Sequence, residues 1–163
     1  MNTDYTLLTK QMEALAETAN DYVPLFSNVS ALLFHNLERV NWAGFYLMKK
    51  GSLLLGPFQG KVACVRIAPG KGVCGSAVSE DRVLRVPDVH EFPGHIACDA
   101  DSASEIVIPL HANGTVIGVL DIDSPEKDRF DEQDEEGLRA FAAALEIKTD
   151  FSALFPELSS ETH

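Results

Sequence analysis

The chain has 163 residues, 45% of them hydrophobic and 23% charged, with a formal net charge of −12. This length suffices for one domain with its own core, and the negative charge argues against nucleic acids and anionic membranes as partners. No stretch is long and apolar enough to span a bilayer, and the N-terminus does not resemble a signal peptide, so we expect a cytoplasmic protein.

Three cysteines, Cys64, Cys74 and Cys98, lie in the middle of the chain. An odd number suits a reducing compartment better than a framework of structural disulfides. Their spacing is too wide for the paired, short-spaced ligands of a zinc site, so no metal is expected. We predict no other cofactor either. The thiols are therefore either inert or redox-active, and both interpretations remain open at this point.

The N-terminal part of the chain predicts two packing helices. Apolar residues recur every three or four positions from Tyr5 to Ala19, which is typical of an amphipathic helix. Asp21 is suited to cap a second helix with Pro24 in its first turn.

Three strands are predicted next. Apolar and aromatic residues from Asn41 to Met48 indicate the first strand, and a second begins at Leu53 after a turn. A third strand, Val62–Ile67, would contain Cys64. The only tryptophan, Trp42, lies in the first strand, where it either packs in the core or lines a pocket.

The stretch Gly70–Val78 predicts a tight turn that leads into a short helix. Cys74 would lie near the start of that helix, where free backbone N–H groups favour negative charge and lower the pKa of a thiol. The alternative is a small buried thiol at a position where a larger side chain would clash.

A long connection follows the short strand Val83–Val86. It runs from Pro87 to Ser104 and carries Cys98 together with His90 and His95, to which we assign no role. Connections of this length inside a compact domain are usually functional or disordered, and the apolar content here favours function.

The clearest turn signal, Asn113-Gly114, predicts a hairpin between Ile106–Leu110 and Val116–Ile122. Asp121 and Asp123 share one face of the second strand. A strict two-residue turn would pair Glu105 with Ile122 on the opposite face, whereas a three-residue loop with a bulge would place Glu105 opposite Asp123. The sequence leaves both registers open.

A final helix capped by Asp131 completes the order of elements, and the residues from Pro156 onward are expected to form a frayed tail. We predict an α+β fold with a mainly antiparallel central sheet. Helices from both ends of the chain would cover one face, and the long connection after Val86 would cover a pocket on the other.

This layout resembles a GAF domain, and several motifs narrow the resemblance. They are Gly72-Val73-Cys74-Gly75, Val86-Pro87-Asp88-Val89-His90, Phe92-Pro93-Gly94-His95-Ile96-Ala97-Cys98-Asp99, Ser104-Glu105-Ile106-Val107, Pro109 and Leu120-Asp121-Ile122-Asp123-Ser124-Pro125. Together they resemble the GAF-type reductases of free methionine-(R)-sulfoxide, over about residues 20–150 of a single domain spanning 1–163.

The resemblance implies a thiol-dependent enzyme that reduces the free amino acid sulfoxide and is recycled by thioredoxin. Cys98 would be the nucleophile, and either Cys74 or Cys64 would resolve it. The substrate would be bound and protonated by Glu105, Asp121 and Asp123, and its methyl group would pack against Trp42. The family also implies a homodimer.

The clustered carboxyl groups suit this chemistry. A lone carboxylate is ionised at neutral pH, but clustered carboxylates repel one another, and at least one is pushed towards its protonated form. That group can protonate the departing oxygen while the others hold an ammonium group. The alternatives are a non-catalytic GAF domain that senses a small ligand and a redox switch that senses oxidant.

Overall fold

The computed structural model describes residues 2–95 and 101–154. Its elements are α1 Tyr5–Thr18, α2 Tyr22–Asn36, β1 Trp42–Lys49, β2 Ser52–Gly60, β3 Arg66–Ile67, α3 Gly72–Glu80, β4 Leu84–Val86, β5 Ser104–Ala112, β6 Thr115–Ser124 and α4 Glu132–Lys148, with a 3-10 turn at Val89–Glu91. Within these ranges, no helix has the length and apolar character needed to cross a membrane. The predicted nucleophile Cys98 and the predicted tail from Pro156 lie outside the described residues.

The six strands form one sheet in the order β3-β2-β1-β6-β5-β4, and each strand is antiparallel to its neighbours. This confirms the predicted sheet. The predicted strand Val62–Ile67 is wrong in its first four residues, because β3 comprises only Arg66–Ile67 and Cys64 lies in the connection before it. Val62 and Val65 are largely exposed, so the apolar run does not pack as a strand does.

Three helices cover one face of the sheet, as predicted from the two ends of the chain. Phe26 of α2 stacks on Phe45 of β1 with 4.1 Å between ring centroids. The fully buried side chains of this layer include Met12, Phe26, Leu33, Phe45, Ile106, Leu120, Ile122, Leu138 and Phe141. Burial of each contributes about 1.5–3 kcal/mol, and this layer is the larger of the two hydrophobic clusters of the fold.

The opposite face is covered by α3 as well as by the connection after β4 that the sequence suggested, of which Val89 and Phe92 pack in the same cluster. Val73 and Ala77 of α3 pack with Val107 and Val119 of the central strands. The short helix lies here because Gly75 brings its backbone against Ala68, where a Cβ atom would collide with the Ala68 carbonyl oxygen. The sheet therefore has helices on both faces, and the functional side chains lie under α3.

The predicted helix caps are confirmed. Asp21 accepts a hydrogen bond from the backbone N–H of Val23 at 2.8 Å. Asp131 accepts one from the N–H of Asp134 at 2.9 Å, and the Asp134 side chain accepts one from the N–H of Asp131 at 3.0 Å. Each cap satisfies N–H groups that have no partner inside the helix.

Candidate active site

The hairpin of β5 and β6 combines features of both predicted registers. Its turn is the strict two-residue Asn113-Gly114 turn, with φ values of 53° and 77° as a type I′ turn requires. A bulge then adds one residue, Ile117, to β6, and the pairing shifts by one position. Glu105 consequently lies opposite Asp123, not Ile122. The site depends on this shift, because it places all three carboxyl side chains on one face.

These carboxyl groups form a compact buried set beside Trp42. Asp123 pairs with Glu105 on one side and with Trp42 of β1 on the other, so the three residues lie in one row across three strands. Asp121 lies two residues along β6 on the same face. Trp42 is only 2% exposed, Asp121 5%, and Glu105 and Asp123 9% each. Trp42 therefore has both roles that the sequence left open, since it is buried in the core and lines the pocket.

Cys74 of α3 points down onto this row. Its Sγ atom lies 3.8 Å from Oε2 of Glu105, in hydrogen-bonding range for a thiol. Burial raises the pKa of Cys74 well above its usual value, and the negative charges of Asp121 and Glu105 raise it further. Of the two interpretations of Cys74, the lowered pKa is therefore wrong and the small buried thiol is confirmed, because burial next to carboxyl groups outweighs the helix dipole.

The same burial shifts the carboxyl groups towards their protonated forms. Burial and the charge of Asp123 raise the pKa of Asp121 to about 8. Burial and the charge of Asp121 raise the pKa of Glu105 well above its usual value. In the described part of the chain, Oδ1 of Asp121 is also buried without a hydrogen-bond partner. Such an oxygen is costly to bury, and a polar ligand bound in the pocket would satisfy it.

Two aromatic residues of β1 join this site to the segment that carries Cys64. Trp42 stacks on Tyr46 with 5.9 Å between centroids, and its Nε1 donates to the carbonyl of Lys61 at 3.2 Å. The hydroxyl of Tyr46 donates to the carbonyl of Cys64 at 2.9 Å. Cys64 is half-buried and disulfide-bonded, whereas Cys74 is a free thiol. Cys64 and Cys74, the two candidates for the resolving thiol, thus differ in oxidation state and in surroundings.

A cavity of about 50 Å³ lies between α3 and the sheet. Its lining combines the aromatic pair of β1, Cys74 and the three carboxyl groups. The family model for the GAF domain matches residues 6–148.

The chain belongs to the GAF domain family. A relative from Bacillus subtilis, Protein YtsP, is 58% identical over 145 residues, which cover 88% of this chain and 89% of the relative. The free methionine-R-sulfoxide reductase of Escherichia coli is 49% identical over 158 residues, covering 95% of this chain and 96% of that protein. The structure of fRMsr of Staphylococcus aureus in complex with its substrate has a TM-score of 0.87 and 53% identity, covering 92% of this chain and 98% of that one.

This GAF domain brings together residues that the sequence analysis named and others that it missed. Trp42, Cys74, Glu105, Asp121 and Asp123 all line the cavity, while Cys98 lies outside the described residues. Other lining residues to which the sequence analysis assigned no role are Tyr46, Lys71, His95 and Ser102. Tyr46 was accessible to sequence reasoning, because it lies four residues after Trp42 and so shares its face of β1.

The site also offers three donor atoms to a metal ion. The ligand atoms of Cys74, Glu105 and Asp121 lie within 4.8 Å of one another. A divalent cation requires deprotonated thiol and carboxyl ligands. The raised pKa of each of these groups disfavours that state, and the protonated set is better suited to donate protons.

Proposed function

We propose that this protein reduces free methionine-(R)-sulfoxide to methionine. The observation that carries the proposal is the set of three buried carboxyl groups, two with raised pKa, packed against Cys74 and Trp42 in one cavity. A pocket that only binds a ligand has no need of acidic groups kept protonated near neutral pH. The similarity to the Escherichia coli and Staphylococcus aureus proteins supports the same assignment.

The pocket residues suit both ends of such a substrate. Oδ1 of Asp121, which has no partner among the described residues, and the adjacent carboxyl of Asp123 can accept hydrogen bonds from an ammonium group. A protonated carboxyl group of the same set can donate one to the sulfoxide oxygen. The indole face of Trp42 is suited to pack against a methyl group next to sulfur. We assign Glu105, Asp121 and Asp123 to binding and protonation, and Trp42 to the apolar wall.

The chemistry requires a thiolate and an acid. The thiolate of Cys98 attacks the sulfoxide sulfur, and a protonated carboxyl group transfers its proton to the sulfoxide oxygen. The oxygen then passes to Cys98 as a sulfenic acid, and the substrate leaves as the two-electron-reduced thioether. With a pKa of about 8, Asp121 carries the required proton at neutral pH. Glu105 shares this role, since burial raises its pKa as well.

We propose Cys64 as the thiol that resolves the sulfenic acid. Condensation of the Cys64 thiol with the sulfenic acid on Cys98 forms a disulfide and releases water. The disulfide-bonded state of Cys64 supports this choice. Cys74 is a poorer candidate, because its raised pKa keeps it protonated and it is buried against Glu105. We place Cys74 in the wall of the pocket, where its protonated thiol faces Glu105.

The resemblance supplies the remaining proposals. Thioredoxin would reduce the disulfide by thiol exchange and so complete the cycle. The protein would act in the cytoplasm as a homodimer, and sedimentation analysis would test the dimer directly.

The decisive test is turnover of free methionine-(R)-sulfoxide with dithiothreitol as reductant. We expect methionine to form, Cys98→Ser to abolish the reaction, and Asp121→Asn to lower kcat/KM by about 100-fold or more. Glu17→Gln on α1 is the matched control, since it removes an exposed carboxylate and should leave the rate unchanged. Absence of turnover, or full activity in Cys98→Ser, would exclude this function and favour a sensor.

The second thiol is tested in a single turnover without added reductant, because dithiothreitol would itself reduce a sulfenic acid. Cys64→Ser should reduce one equivalent of sulfoxide per chain and then accumulate a sulfenic acid, which a sulfenic-acid-specific probe detects. Cys74→Ala should still form the disulfide. The reverse pattern would identify Cys74 as the resolving thiol.

A further inference from the structure

The charges of this chain are distributed very unevenly. Residues 40–79 contain five of its 13 basic residues and none of its 25 acidic residues. The rest of the chain is therefore strongly acidic, and this one segment is basic. Its basic side chains are Lys49, Lys50, Lys61, Arg66 and Lys71. The segment also contains Cys64, so the disulfide-bonded cysteine lies in the longest stretch of the sequence without an acidic residue.

Exposed apolar side chains flank Cys64 on both sides. Val62 is 88% exposed and Val65 is 65% exposed. Isolated exposed apolar residues are common, but two within three residues of a disulfide form a local apolar surface. Lys61 and Arg66 border this segment on either side, and both are exposed. We define the Cys64 surface as Lys61, Val62, Cys64, Val65 and Arg66.

The Cys64 surface is held firmly at the edge of the sheet. The backbone carbonyls of Lys61 and Cys64 accept hydrogen bonds from Trp42 and Tyr46, both of which are buried. Arg66 lies in β3, and among the described strands nothing pairs with the outer side of β3. A partner can therefore approach this edge and meet a preformed surface, which lowers the entropic cost of binding.

We propose that the Cys64 surface is the docking site for the protein dithiol that reduces the Cys64 disulfide. The proposal rests on the reductase function proposed above. The Lys61 ammonium is already paired with the carboxylate of Asp101, so Arg66 carries the positive charge that is available to a partner. The apolar centre beside Arg66 fits a partner whose reactive thiol is surrounded by apolar and acidic residues. A second copy of this chain fits poorly, because a two-fold contact through this surface would place basic residues against basic residues.

The exchange balances as a two-electron transfer. A thiolate of the reductant attacks the disulfide at Cys64, forms a mixed disulfide and releases the other cysteine as a thiolate. The second thiol of the reductant then attacks the mixed disulfide and frees Cys64. The reductant leaves as a disulfide, and both cysteines of this chain end reduced.

The test measures reduction of the oxidised full-length chain without any sulfoxide present. Reduced thioredoxin is mixed with the chain, and free thiols are trapped at intervals with an alkylating reagent and counted by mass. The variants are Val62→Ser, Arg66→Gln and their combination. The controls are Ile147→Ser, an equally exposed apolar residue on α4, and Lys10→Gln, an exposed cation on α1. Parallel reactions use dithiothreitol, which needs no docking surface.

We expect thioredoxin to reduce the double variant with a second-order rate constant roughly 3- to 10-fold lower than that of the wild type. Loss of the Arg66 charge slows association, and loss of the Val62 side chain removes an apolar contact. The rate with dithiothreitol and the behaviour of both controls should not change. Added salt should slow the wild type more than Arg66→Gln. Equal losses with both reductants, no loss with thioredoxin, or a changed oligomeric state in sedimentation would overturn the proposal. Failure of sulfoxide turnover with dithiothreitol would overturn only the proposed function.

Discussion

Replacing Asp121 by asparagine should stabilise the protein while it destroys the activity. Asp121 is buried, and its pKa is raised from 3.8 to about 8 by burial and by the charge of Asp123. The folded state therefore holds a proton that the unfolded state releases above pH 4, and unfolding becomes easier as pH rises. Asparagine occupies the same volume but never ionises, so it removes this penalty.

The size of the effect follows from the pKa shift. Each unit corresponds to about 1.4 kcal/mol, so a rise from 3.8 to about 8 sets an upper limit of roughly 6 kcal/mol above pH 8. Below pH 4 both states bind the proton and the penalty disappears. The gain in Asp121→Asn should therefore be near zero at pH 4, intermediate at pH 6 and largest at pH 8. Partial relaxation of Glu105 will reduce the measured value below the limit.

Urea unfolding followed by circular dichroism at these three pH values measures the gain directly. Glu17→Gln serves as the control, because that exposed carboxylate should give no pH-dependent difference. A variant that is less stable than the wild type at pH 8, or a difference that does not change with pH, would refute the argument. It would mean that Asp121 is held ionised by a partner inside the pocket.

Three further predictions concern the surroundings of the site. Tyr46→Phe removes the hydroxyl that donates to the carbonyl of Cys64, so disulfide formation after one turnover should slow by roughly 2- to 10-fold in a quenched thiol count, while methionine release in that turnover is unchanged. Gly44→Ala would collide with Phe58, and its unfolding free energy should fall by about 1–3 kcal/mol in urea; an unchanged midpoint would contradict this. Burial lowers the pKa of His111, but its hydrogen bonds to the carboxylates of Asp81 and Glu146 have the larger effect and raise the pKa overall. His111→Gln should therefore cost more stability at pH 6 than at pH 8, and a loss that grew with pH would contradict the assignment.

Much of the fold was predictable because its signals are local. Caps at Asp21 and Asp131, the periodicity of the helices and the Asn113-Gly114 turn each act within a few residues. The shared face of Asp121 and Asp123 follows from the two-residue period of a strand. These predictions agree with the structure.

The misses have a different physical origin. An apolar run such as Val62–Ile67 looks like a strand in sequence, but whether it pairs depends on neighbours that are distant in sequence. The pKa of Cys74 likewise depends on Glu105 and Asp121, which reach it only through the tertiary fold. The helix dipole favours a thiolate at Cys74, but burial beside carboxyl groups has the larger effect on its pKa.

The bulge in β6 differs from both the local signals and the errors described above. The sequence itself shows that the two-residue turn and the hydrophobic pattern require different registers. Opposite residues of a sheet share a face, so the helix-covered layer requires Ile106 to lie opposite Ile122. The two-residue turn alone would place Ile106 opposite Asp121 and bury a carboxyl group against the helices. One extra residue, Ile117, satisfies the turn and the hydrophobic pattern together. The same adjustment turns Glu105 towards the pocket, so the packing of the core and the assembly of the carboxyl set have one structural cause.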